Sequence, residues 1–223
     1  MPKNPAVIFD LDGTLADTAP DLVSALNFAL KKREFPEVNR DEVKQIVGQG
    51  AMAMIERACQ IHKRRLSKGD LEYMHSHFLD HYQLHISRDS RLFPHVMEVV
   101  NELRSENIKV CICTNKYEGL ARKFLRGMGI MERFDAVTGG DSFAFKKPDG
   151  RHLFETMKLA DANMERAVMI GDSINDALAA KNAGIKLALV DFGYTDKPVQ
   201  EMGADLLLSS FKDAAPKIRA LLS

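Results

Sequence analysis

Residues 6–18 read AVIFDLDGTLADT: the apolar run Ala6-Val7-Ile8-Phe9 stops abruptly in Asp10-Leu11-Asp12-Gly13-Thr14. A short continuous apolar run ending at a turn signal is the pattern of a strand buried on both faces. Two carboxylates one residue apart are costly to place at such an end unless they do something there. In an open parallel sheet, ligands collect beyond the carboxyl ends of the strands, near the point where strand order reverses. Residues 6–9 therefore predict a strand that mounts Asp10 and Asp12 on a ligand-facing rim.

Further β-like runs follow at 109–113, 134–137, 167–170, 187–190 and 205–208, with helical patterns between most of them. Val96, Val99, Val100 and Leu103 recur at helical spacing, and Asn107, Gly129 and Gly184 suit the left-handed positions that close helices. Strands alternating with helices predict a doubly wound, Rossmann-like α/β fold with a parallel sheet and helices on both faces. About a hundred residues separate the first two strands, where a crossover needs only a dozen or so. The intervening segment reads as helices over 21–33, 40–47, 51–60 and 68–86, the last with Leu71, Met74, Phe78, Tyr82 and Ile86 as an apolar stripe. The expectation is an all-helical cap domain over 17–88, inserted into a core made of 1–16 and 89–223, with crossings near Leu15 and Arg91.

The chain has 223 residues, 45% of them apolar, and 31 basic residues balance 31 acidic ones. No bulk field draws it to nucleic acid or to a membrane surface. No apolar signal core opens the sequence, and no segment approaches the roughly 18 apolar residues of a membrane span. The expectation is a cytoplasmic protein, monomer or homodimer, with no nucleic-acid or membrane partner. Cys111 and Cys113 are spaced to share one face of a strand, so they read as core thiols.

The strand ends carry the chemistry. The first delivers Asp10 and Asp12, the second Thr114 and Asn115, and the AVMIGDSIND segment Asp172, Ser173 and Asp176. Acids gathered at one rim repel one another unless a cation offsets them. Oxygen ligands without convergent His or Cys suit a hard divalent ion, and room for water and a phosphate favours Mg²⁺. Gly13 allows a sharp turn behind Asp12, while Thr14, Thr114, Asn115 and Ser173 offer donors to an anion. Lys147, beside Pro148, is placed to neutralise a phosphoryl oxygen.

The segments Asp10-Leu-Asp-Gly-Thr14, Thr114-Asn115, Lys147-Pro148 and Gly171-Asp-Ser-Ile-Asn-Asp176 resemble, in this order, the four motifs of the haloacid dehalogenase superfamily of phosphatases. A helical cap after the first motif is also that superfamily's pattern. The resemblance implies that Asp10 is a nucleophile forming an aspartyl-phosphate and that Asp12 is the acid and base. It implies Mg²⁺ held by the Asp10 carboxylate, the Asp12 carbonyl and Asp172, with Asp176 and Ser173 in support behind them. Thr114 and Lys147 would hold the transferring phosphoryl oxygens. A dehalogenase attacking carbon needs no second acid, so the Asp10/Asp12 pair favours phosphorus chemistry.

The stretches 45–58, 114–130 and 171–185 are similar to the phosphoglycolate phosphatase branch, which implies 2-phosphoglycolate as substrate. Gly48 and Gly50 lie between two helices, where backbone N–H groups would reach a substrate carboxylate. Two positions differ from that branch: His95 follows Pro94 where glycine is usual, and Asp149-Gly150 stands where His-Pro is frequent. A sugar-phosphate mutase, a pyrophosphatase and a non-catalytic phosphate-binding module remain the rival readings. His77, His81 and His85 at helical spacing read as helix-edge histidines, and the loop Phe192-Gly193-Tyr194 as a structural turn at the same rim.

Overall fold

The computed structural model describes residues 3–39, 42, 46–47, 50–195 and 197–223. Most of the helix expected over 40–47, and Gly48, lie outside these residues. The opening run forms β1 (Asn4–Phe9), fully buried from Ala6 onward. Two short strands, β2 (Ala16–Asp17) and β3 (Arg91–Leu92), pair antiparallel where the chain leaves the sheet and returns to it. The remaining strands are β4 (Lys109–Cys113), β5 (Ala136–Thr138), β6 (Ala162–Gly171), β7 (Lys186–Val190) and β8 (Leu206–Leu208). With β1 they form one parallel sheet in the order β5-β4-β1-β6-β7-β8.

The period of two along each strand divides the interior. Val7, Phe9, Val110, Ile112, Val168 and Ile170 face one apolar layer; Ala6, Ile8, Cys111, Cys113, Ala167 and Met169 face the other. Helices α4 (Val96–Ser105), α5 (Glu118–Gly127) and α8 (Ala215–Ala220) cover the first face, and α6 (Arg151–Leu159) and α7 (Ile174–Ala183) the second. Asn107, Gly129 and Gly184 take φ of 59°, 70° and 68°, the left-handed closures the pattern predicts. His95 also has φ 65°, so a non-glycine residue occupies a conformation that glycine adopts more cheaply.

Three strands depart from their expected limits. Residues 131–133 form a 3₁₀ turn, which delays β5 to Ala136. β6 begins at Ala162, because backbone pairing with Asn4 extends it through a polar stretch that hydropathy does not mark. Asp205 stands before β8, its carboxylate accepting the Leu187 N–H at 2.9 Å.

Between β2 and β3 run α1 (Ala19–Lys31), α2 (Ala51–Ile61) and α3 (Lys68–His85). Pro20 lies in the first turn of α1, where its missing N–H breaks no helical bond. Leu22, Leu26 and Leu30 of α1, Met54 and Ile55 of α2, and Met74, Phe78 and Tyr82 of α3 are buried in the same apolar cluster as one face of the sheet. On α3, His77 and His85 share hydrogen bonds with the carbonyls one turn back, and His81 stacks on Phe28. No described helix is long and apolar enough to cross a membrane.

The two crossings are fastened by Asp21. Its buried carboxylate accepts the Asp89 N–H at 3.0 Å, the Ser90 N–H at 2.9 Å and the Ser90 hydroxyl at 2.6 Å. Removing it strands three donors, two of them main-chain. Asp21→Ala should lower stability by about 2–4 kcal/mol, read from the urea midpoint, with Asp21→Asn losing less.

Candidate active site

The chain runs from β1 through β4 to β5, then crosses back to add β6 on the other side of β1. Connections leave β1 and β6 in opposite directions, which opens a crevice at their carboxyl ends. The Asp10 N–H continues the ladder by donating to Ile170 at 2.8 Å, and its Oδ1 accepts the Leu11 N–H at 2.7 Å. β6 ends at Gly171, followed at once by Asp172, and the first turn of α7 supplies Asp176. Carboxylate oxygens of Asp10, Asp172 and Asp176 all lie within 4.8 Å of one another.

One ammonium answers these three acids. Lys147 Nζ is 3.0 Å from Asp10 Oδ1 and 2.6 Å from Asp176 Oδ1, with its side chain buried. Burial raises the Asp10 pKa to about 6, against the opposing pull of Lys147 and with added repulsion from Asp176 and Asp12. Burial, then Asp176 and Asp10, push Asp172 well above the ordinary carboxylate range. Burial acts to lower Lys147, but the Asp10 and Asp176 carboxylates outweigh it and hold the ammonium above its usual range. With all groups ionised the site keeps an excess of negative charge that only a further cation offsets. Oxygen donors alone, on rigid mounts, fit a hard divalent ion.

The surrounding chain packs tightly on Asp172. Thr14 Oγ1 donates to its Oδ1 at 2.9 Å and the Tyr194 N–H to its Oδ2 at 2.7 Å. Gly13, at φ 82°, and Gly193 both approach so closely that a Cβ at either position would overlap the Asp172 carboxylate. Thr14, expected to offer its hydroxyl to an anion, spends it on Asp172 and is fully buried. The Tyr194 hydroxyl donates to Asp17 Oδ1 at 2.6 Å and accepts the Ala19 N–H at 2.9 Å. The loop expected to be only a turn thus ties the acid cluster to the start of α1. Ser173 donates its N–H and hydroxyl to Asp176 Oδ2, at 3.0 and 2.6 Å.

Asp12 points elsewhere. The chain turns at Gly13, and Asp12 faces a cleft of about 140 Å³. Lys116 Nζ donates to both Asp12 oxygens at 2.8 Å, and Thr18 Oγ1 donates to Oδ1 at 2.7 Å. The Tyr82 ring from α3 lies over the same ammonium, 4.7 Å from centroid to Nζ. Asp10, Thr114, Asn115 and Gly50 also line the cleft. Asn115 donates from Nδ2 to the Lys147 carbonyl at 3.0 Å, which fixes the loop carrying that lysine. Gly50 is the residue before α2, at φ 95°. Gly48 lies outside the described residues.

The sequence pattern does not single out Lys116 or Thr18, and it places Tyr194 at the rim only as part of a structural turn. Lys116 had a signal, since it directly follows Thr114-Asn115; Thr18 and Tyr194 are ordinary residues whose partners are set by the fold.

Residues 7–190 match the family model described as haloacid dehalogenase-like hydrolase. A phosphoglycolate phosphatase of Agrobacterium fabrum is 41% identical over 97% of this chain and 93% of its own length. One of Caulobacter vibrioides is 42% identical, again over 97% of this chain and 92% of its own. Among solved structures, that of a predicted phosphoglycolate phosphatase from Haemophilus somnus 129PT superposes with a TM-score of 0.89 at 27% identity, covering 97% of this chain and 99% of that one.

The lysine between two buried acids should be a large single contributor to the metal-free fold. Lys147→Met in the presence of EDTA should cost about 3–5 kcal/mol, measured by urea denaturation; a change below about 1 kcal/mol would mean that the acids are neutralised by protonation instead.

Proposed function

The chain belongs to the haloacid dehalogenase-like hydrolases, and on that premise we propose that it is a Mg²⁺-dependent phosphatase cleaving 2-phosphoglycolate to glycolate and phosphate. The observation that carries this is the different setting of two acids separated by a single residue. Asp10 sits in the buried acid cluster under Lys147, and Asp12 turns to the cleft under Lys116. Residues 17–88 are taken as the cap and 1–16 with 89–223 as the catalytic core.

The Leu11 N–H and Lys147 fix the orientation of the Asp10 carboxylate through Oδ1, and a carboxylate oxygen of Asp10 is the attacking atom. It forms a bond to phosphorus in line as the bond to the glycolate oxygen breaks, giving an aspartyl-phosphate. Asp12, entering the cycle as the carboxylic acid, gives its proton to the departing oxygen and is left as the carboxylate. In the second half Asp12 takes a proton from water, whose oxygen attacks phosphorus and restores the Asp10 carboxylate. Thr114 holds phosphoryl oxygens, and Lys147 keeps the nucleophile oriented beside them. Asp10, Asp172 and the Asp12 carbonyl would hold Mg²⁺, with Asp176 and Ser173 behind them; bound there, the ion supplies positive charge to the phosphoryl oxygens. Because phosphoryl transfer asks little covalent work of the protein, rigid placement by β1 and β6 is the main contribution.

The small cleft and its Gly50–Ala53 lining support a compact leaving group, far below the roughly 300 Å³ at which drug-sized sites begin. The relatives named phosphoglycolate phosphatase support the choice of ester. The direct test is phosphate release from a panel of small phosphate esters with and without Mg²⁺, in which 2-phosphoglycolate should be the preferred substrate.

Asp10→Asn should reduce turnover by about a thousandfold or more while leaving the circular dichroism spectrum unchanged; near-native turnover removes Asp10 as nucleophile. A pH dependence follows from the raised carboxyl. An unfolded aspartate titrates near 3.9, and Asp10 in the metal-free fold near 6. The fold therefore binds that proton more tightly than the unfolded chain, and this group's contribution weakens stability as pH rises from about 4 to about 6. Mg²⁺ competes with the proton, so the Tm increase on adding Mg²⁺ should grow across that window and level off above it. An increase independent of pH would count against Asp10 as a ligand.

A further inference from the structure

We propose that Lys116 is the residue that reads the carboxylate of the substrate's leaving group, an assignment that rests on the 2-phosphoglycolate reading above. Lys116 lies in the loop after β4 and lines the cleft, yet its side chain is only 4% exposed. An ammonium so far removed from water is costly unless it is paired and hydrogen-bonded. Here Asp12 takes two of its N–H groups, at 2.8 Å each, and the Tyr82 ring covers it at 4.7 Å. A lysine carries three N–H donors, so one remains for a third partner.

Its position decides which end of the substrate it serves. Lys147, the other buried lysine among the described residues, is committed to Asp10 and Asp176 and does not line the cleft. Positive charge for the transferring group is thus supplied at Asp10. Lys116 sits instead against Asp12, the group that meets the leaving oxygen. In 2-phosphoglycolate the carboxylate is one methylene from that oxygen, so a cation touching Asp12 is within reach of it. Lys146 also lines the cleft but is exposed at the rim.

Two neighbours strengthen the case. Gly50 to Ala53, the N-terminal turn of α2, line the same cleft, and that turn has neither a capping side chain nor an acidic residue. Its unspent N–H groups favour an anion as well. Tyr82 belongs to α3, so the ammonium is positioned jointly by the sheet side and the inserted helices. Lys116 therefore makes the cleft selective for esters whose leaving group is itself anionic, and an ester of the same size without a carboxylate leaves it with Asp12 alone.

The test compares kcat/KM for 2-phosphoglycolate and for ethyl phosphate in the wild type, Lys116→Met and Lys116→Gln. Because loss of Lys116 also disturbs Asp12, both substrates should lose turnover, and the ratio between them is the diagnostic quantity. It should fall by about 30-fold or more in Lys116→Met, with the extra loss for 2-phosphoglycolate expressed mainly in KM. Lys116→Gln keeps a donor for Asp12 without the charge, so it should show the same fall in ratio if Lys116→Met does not fold. An unchanged ratio in a folded variant overturns the assignment and marks Lys116 as a partner of Asp12 only. A wild type that cleaves ethyl phosphate as well as 2-phosphoglycolate overturns the substrate reading, and this assignment with it.

Discussion

The structure depends on one electrostatic constraint: three carboxylates meet at the end of a dry parallel sheet with a single buried ammonium among them. Water screens these charges poorly, so burial raises Asp10 to about 6 and Asp172 well above the usual range. Lys147 holds two of the acids and leaves the cluster short of positive charge. A fold with a looser interior would let the acids swing apart. Here β1 and β6 are paired from Ala6↔Ala167 to Phe9↔Ile170 and buried on both faces. The apolar strands are the rigid mount on which a repulsive cluster persists.

The same constraint explains the crowding around Asp172. Gly13 and Gly193 come close enough to exclude any side chain, while Thr14 and the Tyr194 N–H occupy its oxygens. Tyr194 then reaches across to Asp17 and Ala19. Asp21 gathers the returning chain at Asp89 and Ser90. The acid cluster and the root of the helical insert are therefore mechanically joined, and a displacement at one is felt at the other through short hydrogen bonds.

Two acids of the same type sit in different surroundings. Asp10 is enclosed with like charges and one lysine; Asp12 faces the cleft, held by Lys116 and Thr18. In the proposed reaction, environment rather than residue type separates nucleophile from proton carrier. In the assignment proposed for Lys116, its ammonium at the second acid also puts positive charge where the departing half of the substrate would lie, so chemistry and selection would share one side chain.

The alternation of apolar strands and helical patterns was legible directly, because burial on one or both faces imposes a local period. The strand ends could be read for the same reason: Asp10, Asp172 and Thr114 each follow an apolar run that stops. Helices α1, α2 and α3 lie within a few residues of their expected limits, since their apolar stripes are also local. The starts of β5 and β6 differ from the hydropathy limits because a 3₁₀ turn and a polar paired stretch leave no hydropathy signature. What the sequence alone could not supply was partnership. Lys116 meets Asp12 across 104 positions, and Tyr194 meets Ala19 across 175. Periodicity is written in neighbouring residues, but a hydrogen bond between distant segments exists only once the sheet order has brought their strand ends together. The sequence therefore determined which residues stand at the rim, and the tertiary structure decided which of them touch.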